Sequence, residues 1–236
     1  MSLDHVGASL LENFILNIWG ASPVPPVSLE LWNSLYEADR VLRALGKPAF
    51  PLFCFLLVEG FLHTRDVKKY VLRLGIFAFI SELPFDLAFW NRGWYPDHQN
   101  VFFTLFLSAL TLWAIRDGIW GLRRSSPQFC GETMTTIFLS LGAGCVLAEL
   151  LRTDYGAYGV LLVVALYCFR RNRLLQCAFG ALCFSWEKTA FPAFLFLLFY
   201  NGQRGRQPKW FFYWFYPAHL ALFWAVGNFL LPMMAG

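Results

Sequence analysis

Charged residues are scarce in this sequence. Only 14% of its 236 residues are Asp, Glu, Lys or Arg, whereas 58% are apolar and 19% are aromatic. A soluble domain carries about a quarter charged residues and could not bury so much apolar surface. The composition therefore excludes a soluble globular enzyme, a disordered tail and a secreted disulfide scaffold, and it predicts a membrane protein.

Motifs of known chemistry are scarce too. The sequence contains no Walker loop, no GxSxG and no HExxH. Its six cysteines lie in or beside apolar runs without CxxC spacing, as small buried hydrophobes do. Its four histidines lack the spacing of metal ligands. We expect no metal site, and we attribute the net charge of +4 to membrane topology and not to nucleic-acid binding.

A series of apolar stretches runs along the chain. A transmembrane helix needs about 20 residues, and most of the stretches come near that length. The sequence thus predicts an all-α, polytopic helical bundle in the lipid bilayer, with about eight or nine transmembrane helices in a single membrane domain over 1–236. Within it, 174–200 is either two short spans or a re-entrant hairpin. The stretches are 3–20, 48–63, 70–90, 100–116, 133–151, 155–169, 174–186, 189–200 and 210–231.

Positive charges predict the orientation, because Lys and Arg accumulate in cytoplasmic loops. With nine spans and the N-terminus inside, 13 of the 19 Lys and Arg residues fall in inside loops and 6 outside. The expected location is a bacterial inner membrane, crossed several times. The inside residues are Arg65, Lys68, Lys69, Arg73, Arg116, Arg123, Arg124, Arg170, Arg171, Arg173, Arg204, Arg206 and Lys209.

The longest segment outside the spans is 21–47. It opens with a proline-rich stretch at 22–26, and apolar residues then recur at helical spacing among charged ones. This pattern predicts an amphipathic helix on the outer face. The helix is either a plain surface element or a lid over a site.

Ionisable residues within spans are costly and are candidates for function. Near the inner face lie Asp4 and His5, and also Glu59 and His63, which share a helix face because they are four residues apart. Acid–base work on an anionic cytosolic ligand is one interpretation, and a structural hydrogen-bonded pair is the other. The basic residues Arg65, Lys69 and Arg73 follow, and they fit either phosphate binding or topology signalling.

Other polar residues lie near the outer face or at mid-span. Glu82 and Asp86 flank Pro84, and Asn100 stands at the entry of the next span. They either line an outer mouth or cap and solvate helix ends. His219 follows Tyr216 and a proline in the middle of the last span, which predicts a broken, polar helix centre.

The order of these polar positions resembles the TraX family along nearly the whole chain, from Asp4-His5 to His219. Several short runs of residues carry this resemblance. They are Arg43 to Arg65, which includes Gly46-Lys47, Phe50-Pro51 and Glu59-Gly60, then Lys69 to Arg73, Ser81-Glu82-Leu-Pro84-Phe85-Asp86, Asn100-Val-Phe-Phe-Thr104, Asp154-Tyr155-Gly156, Tyr200-Asn201-Gly202, and Tyr216-Pro217-Ala-His219. The family takes its name from a conjugation-plasmid protein that acetylates the N-terminus of pilin. It is also distantly similar to integral-membrane acyltransferases of the acyltransferase-3 type.

This resemblance implies an acyltransferase that passes an acetyl or similar small acyl group from cytosolic acetyl-CoA to an extracytoplasmic amine or hydroxyl. The acceptor would be a pilin-like peptide or a glycan. His5 would be the base, with Asp4 orienting or charging it, and Arg65, Lys69 and Arg73 would hold the phosphates of the co-substrate. The remaining candidates would contact substrate; they are Glu59, His63, Glu82, Asp86, Asn100, Tyr216 and His219.

Two other classes of function stay open. Intramembrane carboxylates with His219 could form the proton relay of a small-solute transporter, although the sequence shows no inverted repeat. A non-catalytic assembly factor for a pilus or secretion system is the second alternative.

Overall fold

The structure is a computed structural model. It describes residues 1–16, 28–125, 129–203 and 210–235; the side chains of 120–125, 129–131 and 234–235 are left out of the description. The proline-rich stretch at 22–26 and the basic residues of 204–209 lie outside these ranges. Over the described residues the regular structure is helical, with one isolated bridge between Gln99 and Thr153. The predicted all-α class is confirmed.

The chain begins with a helical turn, α1, and continues directly into a π-helix over Val6–Ile15. The α-helices are α1 (Ser2–His5), α2 (Leu29–Gly46), α3 (Ala49–His63), α4 (Val67–Trp90), α5 (Val101–Ser125), α6 (Phe129–Leu150), α7 (Gly156–Cys168), α8 (Arg173–Cys183), α9 (Pro192–Leu198), α10 (Phe211–Ala225) and α11 (Leu231–Ala235). A 3₁₀ turn, Lys188–Ala190, precedes α9, and a second π-helix, Val226–Leu230, joins α10 to α11.

Three helical stretches are long and apolar enough to cross a membrane, namely Leu29–His63, Val101–Ile119 and Glu132–Leu150. Many large apolar side chains on the helices are exposed, including Phe79, Phe138 and Phe199 at 73%, 68% and 87%. Water does not tolerate an apolar surface of this extent, whereas lipid does. The protein is therefore a helical membrane protein.

The chain forms two compact units. The first comprises 1–50, 79–96 and 200–236, and the second comprises 51–78 and 97–199. In the first unit the buried residues include Phe14, Phe85, Ala88, Tyr216 and Leu220. In the second unit, Phe55, Leu112, Ile115, Leu162 and Leu166 are each at most 2% exposed.

Two segments refine the sequence predictions. Helix α2 forms where the amphipathic pattern predicts one, and its described part begins at Leu29. The segment 174–200 contains the separate helices α8 and α9, of 11 and 7 residues, each shorter than the bilayer core at a rise of about 1.5 Å per residue. They pack together, because a Cβ on Gly180 would lie 2.7 Å from the ring of Phe194.

Candidate functional site

A pair of buried histidines lies in the first unit. Nδ1 of His5 is 2.8 Å from Nε2 of His219, and the two rings lie edge to edge, with centroids 5.0 Å apart and planes 5° from parallel. The side chains are nearly enclosed, at 6% and 7% exposure. Nδ1 of His219 is in turn 2.7 Å from the carbonyl oxygen of Phe215, one turn earlier in α10. The structure thus joins two residues that are 214 positions apart.

Aromatic rings surround this histidine pair. Tyr216 presents its ring edge-on to both histidines at 5.6 Å, and Phe89 meets the His5 ring edge-on at 5.5 Å. Phe215 stacks on His219 at 4.9 Å. Such contacts restrict ring rotation and keep the local dielectric low, which strengthens the hydrogen bond between the two imidazoles.

The first helix, which consists of α1 and the π-helix over Val6–Ile15, is fixed to the end of α4 by two polar side chains. These side chains share the face of His5. Ser9 Oγ donates to the carbonyl oxygen of Ala88 at 2.8 Å. Asn13 Nδ2 donates to the carbonyl oxygens of Ala88 and Phe89 at 3.2 and 3.0 Å. These carbonyls belong to the last turn of α4, where no N–H of the helix remains to bond them. The bonds therefore satisfy α4 and at the same time set the position of His5.

Helix α10 and the π-helix after it are tied to the same end of α4. Asn91, the residue after α4, has a positive φ of 50°, a conformation that Asn adopts more readily than most residues. Its Oδ1 accepts hydrogen bonds from Trp224 Nε1 at 3.1 Å and from Asn228 Nδ2 at 3.2 Å. One helix end thereby fixes both helices that carry the histidines.

A cluster of ionic side chains joins the first helix to α2. Arg43 lies 3.2 Å from Asp4 Oδ1 and 3.4 Å from Glu12 Oε1. Asp39 on the same helix is 4% exposed and has Asp4, Glu12 and Arg43 as electrostatic neighbours. Helix α2 is therefore attached to the first helix by partly buried ion pairs, which the amphipathic pattern does not predict.

This cluster also defines the place of Asp4. The role of Asp4 in orienting or charging His5 stays a prediction; in the structure the carboxylate of Asp4 contacts Arg43, and the ring of His5 contacts His219. A Cβ on Gly46 would lie 2.6 Å from the backbone nitrogen of Asp4, so only glycine permits this approach of α2. Arg43 and Lys47 are electrostatic neighbours of His5.

The two predicted carboxylates of α4 belong to the first unit and are buried. Glu82 is 6% exposed and Asp86 is fully buried. Oδ2 of Asp86 accepts from the backbone N–H of Tyr95 at 2.8 Å, so this carboxylate fixes the chain that leaves α4. The helix continues past Pro84 without ending there.

The other predicted inner-face residues belong to the second unit. His63 Nδ1 lies 2.9 Å from the carbonyl oxygen of Glu59 and 3.9 Å from Oε2 of its side chain, which confirms that the two share a helix face. The ring of His63 is exposed, whereas Glu59 is half-buried. This geometry agrees with a local pair at the end of α3.

The basic residues at the start of α4 differ in their pairing. The backbone N–H of Lys69 donates to Asp66 Oδ1 at 3.0 Å, which lowers the pKa of that carboxyl below its usual value. The ionised Asp66 also lies 3.4 Å from Lys69 Nζ. Among the described residues, no carboxylate pairs with Arg65 or Arg73, and Nε of Arg73 is buried without a hydrogen-bond partner.

Asn100 is fully buried in the second unit and caps α5. Its Oδ1 accepts from the backbone N–H of Phe102 at 2.9 Å, and its Nδ2 donates to the carbonyl oxygen of Ala78 at 2.8 Å. In the neighbouring turn His98 lies 3.3 Å from Asp154, and Arg152 pairs with Asp97. These contacts match the interpretation of this region as capped and paired helix ends.

Sequence reasoning missed several residues that build this site. Ser9 and Asn13 follow His5 at steps of four within an apolar stretch, and that spacing was the available signal. The partners of Arg43 carried no comparable signal, because Asp4 and Glu12 lie about 30–40 residues before it in the chain. Within the described residues, no group of three or more His, Cys, Asp or Glu side chains converges as metal ligands do.

The fold and this buried polar pair define an integral-membrane helical protein with a candidate site in its first unit. The chain belongs to the TraX family: the family model described as TraX protein matches residues 1–227. The chain is similar to the "Probable fimbrial assembly protein FimC, serogroup H1" of Dichelobacter nodosus, at 31% identity over 221 residues that cover 80% of this chain and 84% of that protein. No solved structure matches the chain.

Proposed function

We propose that the protein is a membrane-embedded acyltransferase that moves an acetyl or similar small acyl group from cytosolic acetyl-CoA to an extracytoplasmic amine or hydroxyl. The observation that carries the proposal is the buried pair of His5 and His219. Nδ1 of His5 is engaged with His219, so Nε2 is the nitrogen that remains for chemistry. An enclosed, oriented imidazole is the usual general base of acyl transfer.

In the proposed reaction, Nε2 of His5 takes the proton of the acceptor amine or hydroxyl. The acceptor atom attacks the thioester carbonyl, and a bond from carbon to nitrogen or oxygen forms. The bond between that carbon and the sulfur of coenzyme A breaks, and the leaving thiolate takes the proton back from His5. The products are the acylated acceptor and free coenzyme A, and His5 ends in its starting state.

We assign the phosphates of the co-substrate to Arg65, Lys69 and Arg73. The absence of a carboxylate partner for Arg65 and Arg73 among the described residues supports this assignment, because a guanidinium without a counter-ion favours a bound anion. Lys69 and Arg73 are four residues apart on α4 and so share one helix face. A phosphate group there would also accept from the buried Nε of Arg73.

The acceptor is proposed to be a pilin-like peptide or a glycan. The fimbrial name of the relative in Dichelobacter nodosus supports a pilin-like peptide. Within the first unit, Glu82, Asp86 and Tyr216 are the candidates for contact with the acceptor. The roles of Glu59, His63 and Asn100 in substrate contact stay predictions. In the structure His63 contacts the backbone of Glu59, and Asn100 donates to the carbonyl oxygen of Ala78.

The name of that relative also favours a second candidate function. An assembly factor that only binds pilus components would need the fold and its surface, but not the base. Replacement of His5 therefore separates the two candidates, because assembly would survive it and acyl transfer would not.

We propose a bacterial inner membrane as the location, with several spans and the N-terminus in the cytoplasm. The count of Lys and Arg on the two sides supports this orientation. Reporter fusions after His63 and after Trp90 test it, since the first reporter should be cytoplasmic and the second extracytoplasmic; the reverse result would refute the orientation.

The enzymatic test uses membrane vesicles from cells that make the full chain, supplied with acetyl-CoA labelled in its acetyl group. We expect label in the envelope fraction and release of the thiol of coenzyme A. His5→Ala should reduce both by about 10²–10⁴-fold. His98→Gln is the matched control, because His98 belongs to the second unit, where it lies 3.3 Å from Asp154. Equal rates with wild type, His5→Ala and empty vesicles would refute the proposed function.

A further inference from the structure

The hydrogen bonds around the histidine pair run in one direction. A backbone carbonyl can only accept, so the 2.7 Å contact of His219 Nδ1 with the oxygen of Phe215 puts a hydrogen on that Nδ1. The other nitrogen of a neutral imidazole is an acceptor. The 2.8 Å contact of His219 Nε2 with His5 Nδ1 therefore has His5 as its donor. A neutral His5 is left with its lone pair on Nε2.

We propose that His219 is a positioning residue that fixes His5 as the Nδ1–H tautomer and so makes Nε2 its basic nitrogen. The inference rests on the proposed function for the role of that nitrogen, although the tautomer itself does not. Which nitrogen of a histidine carries the proton is set by the hydrogen bond that the other makes. The carbonyl oxygen of Phe215 can only accept, so it determines which atom donates in both hydrogen bonds.

The surroundings of the two rings favour neutral imidazoles. Both are enclosed by aromatic side chains, and an unpaired charge in such a place is costly. Arg43, Lys47 and the amino terminus are cationic neighbours of His5. Neither histidine ring has a carboxylate within ion-pair distance among the described residues, so the usual Asp or Glu partner of a catalytic histidine is replaced here by a second histidine.

The edge-to-edge geometry of the two rings restricts alternatives to these hydrogen bonds. With the planes 5° from parallel and Tyr216 edge-on to both rings, a flip of His5 would break its contact with His219 and replace it with a carbon atom. Without the acceptor at His219, the proton of a neutral His5 could occupy either nitrogen. In a fraction of the molecules Nε2 of His5 would then carry the hydrogen, and this nitrogen would be unable to take the proton of the acceptor substrate.

Two variants of His219 separate positioning from simple packing. His219→Gln keeps an acceptor near the place of Nε2, because the amide oxygen of Gln can accept from Nδ1 of His5. His219→Leu keeps a similar volume and removes the acceptor. We expect His219→Leu to lower kcat by about 10²–10⁴-fold, as loss of the correct tautomer does in other histidine bases, with the KM for acetyl-CoA unchanged. His219→Gln should retain most of the wild-type kcat.

A spectroscopic measurement tests the tautomer without any substrate. The full chain is labelled with ¹⁵N-histidine in lipid, and His5→Gln identifies the two signals of His5 among those of four histidines. In the wild-type chain we expect a protonated Nδ1 and a non-protonated Nε2 on His5. The same pattern should persist in His219→Gln and should be lost or mixed in His219→Leu.

The outcomes keep the two proposals apart. If His5 is already a mixture of tautomers in the wild-type chain, or keeps its tautomer in His219→Leu, the positioning role is refuted whatever the activity. If the tautomer depends on His219 and yet no acyl transfer occurs, the positioning role stands and the proposed function fails. If kcat is the same in His219→Leu and in wild type, His219 does not serve the reaction and the inference is overturned.

Discussion

Gly227 of the second π-helix lies against the ring of Phe14 in the first, so closely that a Cβ on Gly227 would overlap the ring. The absence of a side chain lets the helix that follows His219 approach the helix that follows His5. The register of the histidine pair therefore depends on a glycine eight residues beyond one of its members.

The first prediction concerns this contact. Gly227→Ala should lower the free energy of unfolding by about 1–3 kcal/mol, the usual cost of an overpacked contact. Gly142→Ala is the matched control, since nothing lies within 4 Å of a Cβ at Gly142; there the gain in helix propensity should make the change neutral or stabilising. Thermal unfolding in detergent measures both. A rescue of Gly227→Ala by Phe14→Leu is expected, and its failure would contradict the steric explanation.

The second prediction concerns the ionic cluster on α2. Arg43→Met removes the guanidinium that contacts Asp4 and Glu12, and we expect a loss of about 1.5–3 kcal/mol, typical for hydrogen bonds to charged groups. Arg40→Met is the control on the same helix, because Arg40 pairs with Glu37 in an exposed position and such pairs contribute about 0.2–1 kcal/mol. Equal melting temperatures for the two variants would show that the cluster does not hold the helices together.

The third prediction concerns the side chains that attach the first helix to α4. Asn13→Ala removes two hydrogen bonds to backbone carbonyls. In a membrane protein such an interhelical bond contributes about 0.6 kcal/mol on average and at most about 1.7 kcal/mol, so the loss should be near the upper figure. Ser34→Ala, which removes only a bond within α2, is the control. The unfolding midpoint in a denaturing detergent measures the difference, and no excess loss for Asn13→Ala would count against the attachment.

The fourth prediction concerns the basic residues proposed to bind phosphate. Arg65→Gln and Arg73→Gln should each raise the KM for acetyl-CoA about tenfold, equivalent to about 1.4 kcal/mol, with kcat little changed. Lys188→Gln, an exposed cation before α9, should have no effect.

Thermal stabilisation by coenzyme A provides a check on binding alone. At 100 times its Kd the ligand should stabilise the wild-type chain by about 2.7 kcal/mol. Both arginine variants should need more coenzyme A for the same shift. Unchanged shifts in the two variants would remove Arg65 and Arg73 from the binding site.

Much of the fold could be predicted from composition and periodicity, because lipid demands long apolar helices and the positions of α3 to α7 follow from them. The sequence does not decide how 174–200 folds, since two short spans and a re-entrant hairpin share the same apolar pattern. His5 and His219 could be singled out as polar residues in apolar surroundings. Their direct contact could not, because no periodicity connects positions 214 residues apart.

The ionic partner of Asp4 also could not be predicted from the sequence, although Asp4 is the neighbour of His5. Sequence adjacency favours a role on His5, but successive side chains on a helix point in different directions. The carboxylate of Asp4 instead reaches Arg43 on α2. Ionic partners depend on which helices meet, and this is a property of packing that one sequence does not reveal.

The π-helix at Val6–Ile15 gives the chain an unusual sensitivity to length. Its bonds run from each N–H to the carbonyl five residues earlier, as from Leu16 to Leu11, so each turn holds an additional residue compared with an α-helix. Deletion of one apolar residue such as Leu10 would let the segment relax into α-helical form, and this would change both the rotation and the rise of the chain between Asn13 and His5. Asn13 could keep its bonds to α4 while His5 turned away from His219. This helix should therefore accept many exchanges of one apolar residue for another, but not the loss of a single one.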